Sequence, residues 1–254
     1  MSSAAVPNPA TPVSRGISVT GLGNSRVRVS NWQGDQGVAL VGPGRASLLP
    51  SIHDLHKVLD RLSKRGVARA VTPALSQRDA KPFLQAGFTT HEHLHLLAFD
   101  LRNGPHGPAL APPLPDGFQL RNGHRWHEHD VIAVDGAAFE SFWRFDPAAL
   151  REARRATPRH HYRVITNHGG VAAYAVTGLA GQRGYLQRLA VHPRFEGNGL
   201  GRALIQDSFT WLRKREATRI MVNTQERNQR ALAVYRSVGF EPEPSGLVVL
   251  EWLR

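Results

Sequence analysis

A short segment in the second half of the chain carries residues with the types and spacing of an anion site. Three glycines, Gly197, Gly199 and Gly201, stand at every second position between an apolar stretch that ends at Val191 and an amphipathic one that begins at Arg202. Glycine lets a backbone approach a phosphate closely, and the first N–H groups of a helix have no intrahelical acceptor. A strand, a glycine turn and a helix start therefore predict a site that holds the phosphates of a cofactor.

The spacing of these glycines also bears on which cofactor is bound. A dinucleotide fold requires G-x-G-x-x-G and an acidic residue at the end of the next strand. Here the spacing is G-x-G-x-G, and Asn223 and Thr224 stand at the end of the next predicted strand. The spacing and the missing acidic residue therefore argue against a dinucleotide as the cofactor.

The composition limits the class of protein and its location. The chain has 254 residues, 41% of them apolar, and no cysteine, which excludes disulfides, thiolate metal ligands and thiol nucleophiles. No stretch approaches the roughly 20 apolar residues that span a bilayer. The first 15 residues lack the apolar core of a secretory signal. We therefore predict a cytoplasmic protein, monomeric or homodimeric, with no membrane partner.

The net charge of +12 comes from 32 basic and 20 acidic residues. A field of this sign favours polyanions, either nucleotide cofactors or nucleic acid. The arginines are spread along the chain and do not form one block with interleaved aromatic residues, as a nucleic-acid interface would require. We do not expect nucleic acid to be the partner.

The elements that must position the glycine turn alternate between strands and helices, which indicates a mixed α/β fold with antiparallel hairpins. Ser51 is the expected N-cap of one helix, and Asp146 with Pro147 begins another. A third helix is predicted over 130–140. Residues 103–117 hold five prolines and three glycines, and this composition predicts a linker. The predicted division is a flexible leader with the first strands at 1–32, an N-terminal domain at 33–102, the linker at 103–117 and a C-terminal domain at 118–254.

The first half of the chain repeats the second at a shift of 150 positions. Val41 and Pro43 fall on Val191 and Pro193, and strand, turn, helix, strand and helix follow in the same order in both halves. Chance similarity of two α/β segments is the alternative. In the first copy, residues 44–51 carry leucines and a proline in place of the glycines, so we interpret that copy as a degenerate remnant.

Residues 118–254 resemble the GNAT family of N-acetyltransferases through two motifs. The first is the apolar strand followed by Glu196-Gly197-Asn198-Gly199-Leu200-Gly201. The second is NQRALAVYRSVGF, from Asn228 to Phe240. The resemblance implies a mostly antiparallel central sheet flanked by helices, preceded here by a degenerate GNAT-like half. This two-copy plan is similar to that of mycothiol synthases, and it does not fix the acceptor.

The resemblance further implies acetyl-CoA as co-substrate, direct transfer of the acetyl group to a primary amine of a small molecule or protein, and no metal. Tyr235 lies at the position of the family's general acid. The alternative interpretation of Tyr235 is an aromatic residue that packs in the core. The other implied cofactor contacts are Leu189, Ala190, Val191, Glu196, Gly197, Asn198, Gly199, Leu200, Gly201, Arg202 and Asn228. Glu196 departs from the Gln or Arg of the family, and a carboxylate beside a diphosphate is repulsive unless it is paired. Arg194 or Arg202 could supply the compensating positive charge.

The base that takes the proton of the amine is not defined by the pattern. Relatives often carry Glu on the signature strand or the next one, where this chain has Gln187 and Asn223. Glu140 is our candidate, with His192 and a chain of waters as alternatives. The competing function is a non-catalytic acyl-CoA sensor or a basic adaptor for nucleic acid.

Two further groups of side chains could each serve one of two purposes. His91, His93 and His95 alternate along one predicted strand, so they face the same way and could together bind a metal. No carboxylate-rich partner is suggested, and we predict no metal. The aromatic residues between 139 and 145 either wall the acceptor site or pack in the core.

Overall fold

A computed structural model describes residues 22–23, 26–33, 35–44, 49–102 and 113–254. Most of the predicted leader, the centre of the degenerate turn and residues 103–112 of the predicted linker lie outside the described residues. Six helices are described: α1 Ile52–Lys64, α2 Gln77–Gln85, α3 Glu128–Ala138, α4 Pro147–Arg155, α5 Leu200–Arg213 and α6 Gln229–Ser237. Twelve strands are described: β1 Val27–Trp32, β2 Asp35–Pro43, β3 Arg69–Val71, β4 Leu75–Ser76, β5 Thr89–Asp100, β6 Gln119–Asn122, β7 Arg159–Asn167, β8 Gly170–Ala180, β9 Arg183–Val191, β10 Arg219–Gln225, β11 Glu241–Pro242 and β12 Leu247–Leu253.

The helices begin where local hydrogen bonding favours a start. The Ser51 hydroxyl accepts the Asp54 N–H while the Asp54 carboxylate accepts the Ser51 N–H, which is the reciprocal capping box. Asp146 caps α4 by accepting the Ala149 N–H at 2.7 Å, and Pro147 occupies the first turn of that helix. Helix α3 begins and ends two residues earlier than predicted, so Glu140 lies beyond its end.

All twelve strands belong to one sheet, whose main path runs β1-β2-β3-β12-β5-β10-β9-β8-β7-β6. The pairs β2–β3 and β9–β10 are parallel, and the remaining pairs are antiparallel. The predicted mixed α/β fold with a mostly antiparallel sheet flanked by helices is confirmed.

The two copies of the repeat exchange their last strands. The first copy is β2-α1-β3-α2-β5 and the second is β9-α5-β10-α6-β12. Strand β5 pairs with β10 of the second copy, β12 pairs with β3 of the first, and β5 and β12 pair with each other. The strand order β2-β3-β12-β5-β10-β9 is therefore symmetric about the β5–β12 pair. The predicted domain division did not include this exchange.

The apolar core follows the same arrangement. One cluster packs α5 and α6 against the C-terminal strands, and a second packs α1 and α2 against the N-terminal ones. A third lies under α3 and α4. The two larger clusters include residues of the exchanged strands, Leu97 in the first and Leu250 in the second.

Candidate active site

A cleft opens where two parallel strands separate. Strands β9 and β10 pair through Arg183–Tyr185 and Arg219–Met221, and the paired stretch ends there. Beyond it the strands diverge and enclose a cleft of about 1290 Å³. The ends of both strands, the glycine turn and α6 line it. The cleft therefore has an unpaired strand edge along one wall.

A bulge in β9 determines which side chains face which helix. Val176 pairs with Arg188 and Thr177 with Leu186, so Gln187 is the extra residue. Leu186 packs in the α5 cluster, whereas Arg188 reaches Asp135 on α3. A bulge shifts the alternation of side chains by one position.

The backbone of β9 presents hydrogen-bonding groups to the cleft. The His192 N–H donates to Ala172 O on β8 at 2.8 Å. Because successive N–H groups of a strand point to opposite edges, the N–H groups of Val191 and Leu189 point to the cleft side. Leu189, Ala190 and Val191 all line the cleft, as the cofactor prediction required.

The glycine turn leads into α5 with two residues in the left-handed region. Gly197 has φ +80° and Gly199 has φ +74°. Residues with a Cβ adopt these backbone conformations only at a cost in free energy. The Asn198 side chain donates to Phe195 O at 3.1 Å, and the Ala203 N–H to Gly199 O at 3.0 Å is an early helical bond of α5. Helix geometry leaves the N–H groups of residues 200–202 without an intrahelical acceptor.

The charges around the turn differ from the expected pairing. The Glu196 carboxylate forms an ion pair with Arg230 of α6, and not with Arg194 or Arg202 as predicted. Arg202 lines the cleft at the start of α5 and has no carboxylate partner among the described residues. The neutralised Glu196, the unpaired guanidinium and the helix start together fit an anionic ligand.

Helix α6 brings the two other predicted residues to the cleft. Asn228 caps the helix by accepting the Ala231 N–H at 3.0 Å. Tyr235 lines the cleft and is 7% exposed. Burial raises the pKa of the Tyr235 phenol to about 12, while the positive charge of Arg188 acts in the opposite direction.

A buried ionic cluster that the sequence interpretation missed lies beside Tyr235. Arg188 donates to both carboxylate oxygens of Asp135, at 2.7 Å each, and the Tyr174 hydroxyl donates to the same carboxylate. Asp135 is fully buried. The rings of Phe139 and Phe145 lie 3.4 and 4.0 Å from the guanidinium carbon. An aspartate in the otherwise apolar VIAVDGAA and an arginine in LQRLAV were the available signals.

The side of the cleft away from the glycine turn is formed by both halves of the chain. Phe139 and Trp143 line it from the segment after α3, and Leu94 lines it from β5 of the N-terminal half. Glu140 is 66% exposed and pairs with Arg227, which lines the cleft. Phe142 packs against Trp32, whose indole donates to Phe142 O at 2.9 Å. The aromatic residues therefore divide between the cleft wall and the core.

The histidines lie away from these groups. His192 accepts the Arg194 N–H through its ring and caps the short turn before Glu196. His91 is the extra residue of a bulge in β5 and lies 3.4 Å from Glu251, so the alternation expected for His91, His93 and His95 is interrupted. Within the described ranges no three His, Asp or Glu side chains are grouped to hold a metal ion. No helix in the same ranges is long and apolar enough to cross a membrane.

Comparison with known families matches the C-terminal part of the chain. The model of the Acetyltransferase (GNAT) family matches residues 126–240. This range contains the bulged strand, the glycine turn, α5, β10 and α6. Acetyltransferases of this family use acetyl-CoA.

Two groups of curated relatives are similar to this chain. The mycothiol acetyltransferase of Saccharomonospora viridis is 32% identical over 148 residues, which cover 51% of this chain and 48% of the relative. The [ribosomal protein bS18]-alanine N-acetyltransferase of Escherichia coli is 34% identical over 76 residues, 30% of this chain and 51% of the relative. The chain thus spans about half the length of the curated relatives it matches.

Solved structures extend the likeness in fold to both halves. A tandem GNAT protein from the clavulanic acid biosynthesis pathway superposes with a TM-score of 0.66 at 15% identity, over 89% of this chain and 78% of the other. A GCN5-related N-acetyltransferase from Sphaerobacter thermophilus gives 0.60 at 16% identity, over 89% and 76%. At these identities the likeness concerns the fold alone.

Proposed function

We propose that this protein is an acetyl-CoA-dependent N-acetyltransferase, because residues 126–240 match the model of the Acetyltransferase (GNAT) family. It transfers the acetyl group directly to a primary amine of a small molecule or protein. The observation that carries the proposal is the cleft between β9 and β10, with the start of α5 at one side and Tyr235 in its wall. A cytoplasmic location and a monomeric or homodimeric state belong to the same proposal. So does the division of the chain at residues 103–117 into a degenerate N-terminal half and a C-terminal half, which share one sheet.

The residues of the cleft match the parts of acetyl-CoA in order. The N–H groups at the start of α5, with Gly197 and Gly199 permitting close approach, receive the pyrophosphate. Arg202 adds a positive charge at that point, and Glu196 adds no repulsion because Arg230 neutralises it. The free edge of β9 accepts the pantetheine arm as an additional strand would be accepted.

The reacting end lies between β9 and α6. The Val191 N–H points into the cleft, where it donates a hydrogen bond to the thioester oxygen as negative charge develops there. Tyr235 gives its proton to the departing thiolate, and a phenol whose pKa is about 12 is protonated at neutral pH. Glu140 is the carboxylate that we propose for accepting the proton of the amine, directly or through water.

The test combines binding with turnover. We expect acetyl-CoA to give a calorimetric binding signal and to raise the Tm, and CoA to be released when an accepted amine is added. Tyr235→Phe should keep the acetyl-CoA affinity and lose about 100-fold or more in kcat, the usual contribution of a general acid. Normal turnover in that variant removes Tyr235 from the mechanism.

Two other results would contradict the proposal itself. The absence of both heat and thermal protection with acetyl-CoA rejects the cofactor assignment. Tight binding without CoA release, across a broad panel of amines and peptides, favours the acyl-CoA sensor.

A further inference from the structure

The charged side chains in and around the cleft differ between the glycine turn and the part that Arg227 lines. At the glycine turn, Glu196 is paired with Arg230, and Arg202 remains without a carboxylate partner among the described residues. This part of the cleft therefore carries a net positive charge, which suits the phosphates of the donor. The buried pair of Arg188 and Asp135 adds no net charge to the cleft.

Where Arg227 lines the cleft, its guanidinium is held by two carboxylates that lie just outside the cleft lining. Arg227 lies 3.0 Å from the Glu92 carboxylate and 2.8 Å from that of Glu140. Two negative groups and one positive group leave one net negative charge. It stands out in a chain whose overall charge is +12.

The two carboxylates differ in how much water screens them. The Glu140 side chain is 66% exposed, whereas that of Glu92 is 13% exposed and also accepts the Gln225 side-chain N–H at 3.1 Å. A largely buried charge is screened less by solvent and salt than an exposed one. Glu92 is therefore the main source of the negative potential around Arg227.

Glu92 does not line the cleft, but the strand exchange places it beside Arg227, which does. Glu92 lies on β5 of the N-terminal half, two residues before Leu94, so both side chains share one face of the strand. Leu94 pairs with Gln225 at the end of β10 and lines the cleft. Without the exchange, β12 and not β5 would lie beside β10, and this carboxylate would be elsewhere.

We propose that Glu92, supplied by the N-terminal half, makes the part of the cleft that Arg227 lines selective for acceptors that carry no negative charge near the reacting amine. The inference rests on the proposed function and names a class of acceptor: cationic amines, with amino acids bearing a free carboxylate disfavoured. Glu92 acts through its charge and by holding Arg227, and it does not touch the reacting atoms. It is a specificity-determining residue.

The test uses the full-length chain and matched pairs of amines at saturating acetyl-CoA. Alaninamide is compared with alanine, and 1,4-diaminobutane with 4-aminobutanoate, so that each pair differs in the charge beside a primary amine. The wild-type protein is expected to favour the cationic member of each pair in kcat/KM. Glu92→Gln should reduce that preference about fivefold, through KM with kcat largely retained, since one unit charge near a protein surface is removed.

Two control variants separate charge from structure. Glu92→Asp retains the carboxylate and should retain most of the preference. Glu243→Gln removes a carboxylate that pairs with Arg219 at the other end of β10, and it should leave the preference unchanged. If Glu92→Gln does not fold, the preference of the wild-type protein is measured at increasing salt concentration. Added salt must weaken a preference that is based on charge.

Three kinds of result would each reject a different part of the proposal. An unchanged preference in Glu92→Gln, a loss in kcat alone, or a wild-type preference that salt does not alter rejects the role of Glu92. A wild-type protein that binds acetyl-CoA but favours the amines that carry a carboxylate, or uses neither member of either pair, rejects the acceptor class. A wild-type protein that does not bind acetyl-CoA rejects the proposed function itself.

Discussion

At the scale of single residues, Tyr235 is subject to two opposing influences. Burial disfavours its phenolate form, and Arg188 across the cleft wall favours it. Burial is the larger effect, so the side chain stays protonated over the range in which an amine acceptor is partly deprotonated. The same burial that makes it a proton donor also couples its titration to folding.

This coupling predicts a stability change at alkaline pH. Because the pKa of Tyr235 is about 12 in the folded protein and about 10 in the unfolded chain, its contribution is complete below pH 10 and is lost as the pH rises to 12. The loss amounts to about 2 to 3 kcal/mol. Tyr235→Phe does not titrate, so its stability relative to the wild type should rise over that interval. Urea unfolding at pH 8, 10 and 11.5 measures the difference.

Tyr162 and Tyr174 are present in both proteins and serve as an internal control, since their pKa values are also raised by burial. A difference between variant and wild type that stays constant with pH would contradict the assigned pKa.

Residue types alone were enough to locate some of these groups but not to pair them. Glu196 and Tyr235 were identified by their place in two motifs. Arg230 was not identified as the partner of Glu196, because the contact joins a turn and a helix 34 positions apart. The Arg188–Asp135 pair depends on the bulge at Gln187, and periodicity does not show where a strand gains one residue.

At the scale of elements, the glycine turn combines two requirements in few residues. The turn must redirect the chain from β9 into α5, and it must leave the first N–H groups of the helix open. Gly197 meets both requirements, since its φ is +80° and no atom outside its immediate neighbours lies within 4 Å of a Cβ placed there. A side chain at this position would be strained without clashing.

We therefore expect Gly197→Ala to reduce stability by about 1 kcal/mol and to weaken acetyl-CoA binding. The control is Gly181→Ala in the β8–β9 hairpin, where φ is +56° and the space is equally open. The control should lose stability to a similar degree while keeping its acetyl-CoA affinity. Thermal unfolding and calorimetric titration of both variants measure the two effects. Equal affinities in the two variants would show that the conformation of the turn does not matter for binding.

Local rules predicted most of these elements correctly. Ser51 and Asp146 cap helices as expected, and Pro147 occupies the first turn of α4. Each of these signals lies within one turn of the helix it starts or ends. The position of Glu140 was misjudged because α3 ends at Ala138 without a glycine or proline to mark its end.

At the scale of the whole molecule, the exchange of β5 and β12 makes the two halves one structure. The repeat predicted the same elements twice, but both assignments of the last strands satisfy the same pattern of apolar residues. Which strand pairs with which depends on contacts more than 100 positions apart along the chain, such as Arg219 with Asp100. Sequence periodicity contains no information at that range.

The exchange predicts that the two halves unfold together. Leu97 of β5 is fully buried in the C-terminal cluster, and Leu250 of β12 is fully buried in the N-terminal one. Replacing either residue by alanine should destabilise the protein by about 2 to 5 kcal/mol. Since each side chain belongs to one half of the chain and packs in the other, both variants should lower the midpoint of the same single transition.

Calorimetry and near-ultraviolet circular dichroism test this on the full-length wild type and both variants. Agreement between the calorimetric and van't Hoff enthalpies would indicate one cooperative unit. Leu84→Ala is the control, because Leu84 is 45% exposed on α2 of the N-terminal half and should change the midpoint little. Two separate transitions, with Leu97→Ala and Leu250→Ala each lowering a different one, would mean that the halves fold independently in spite of their shared sheet.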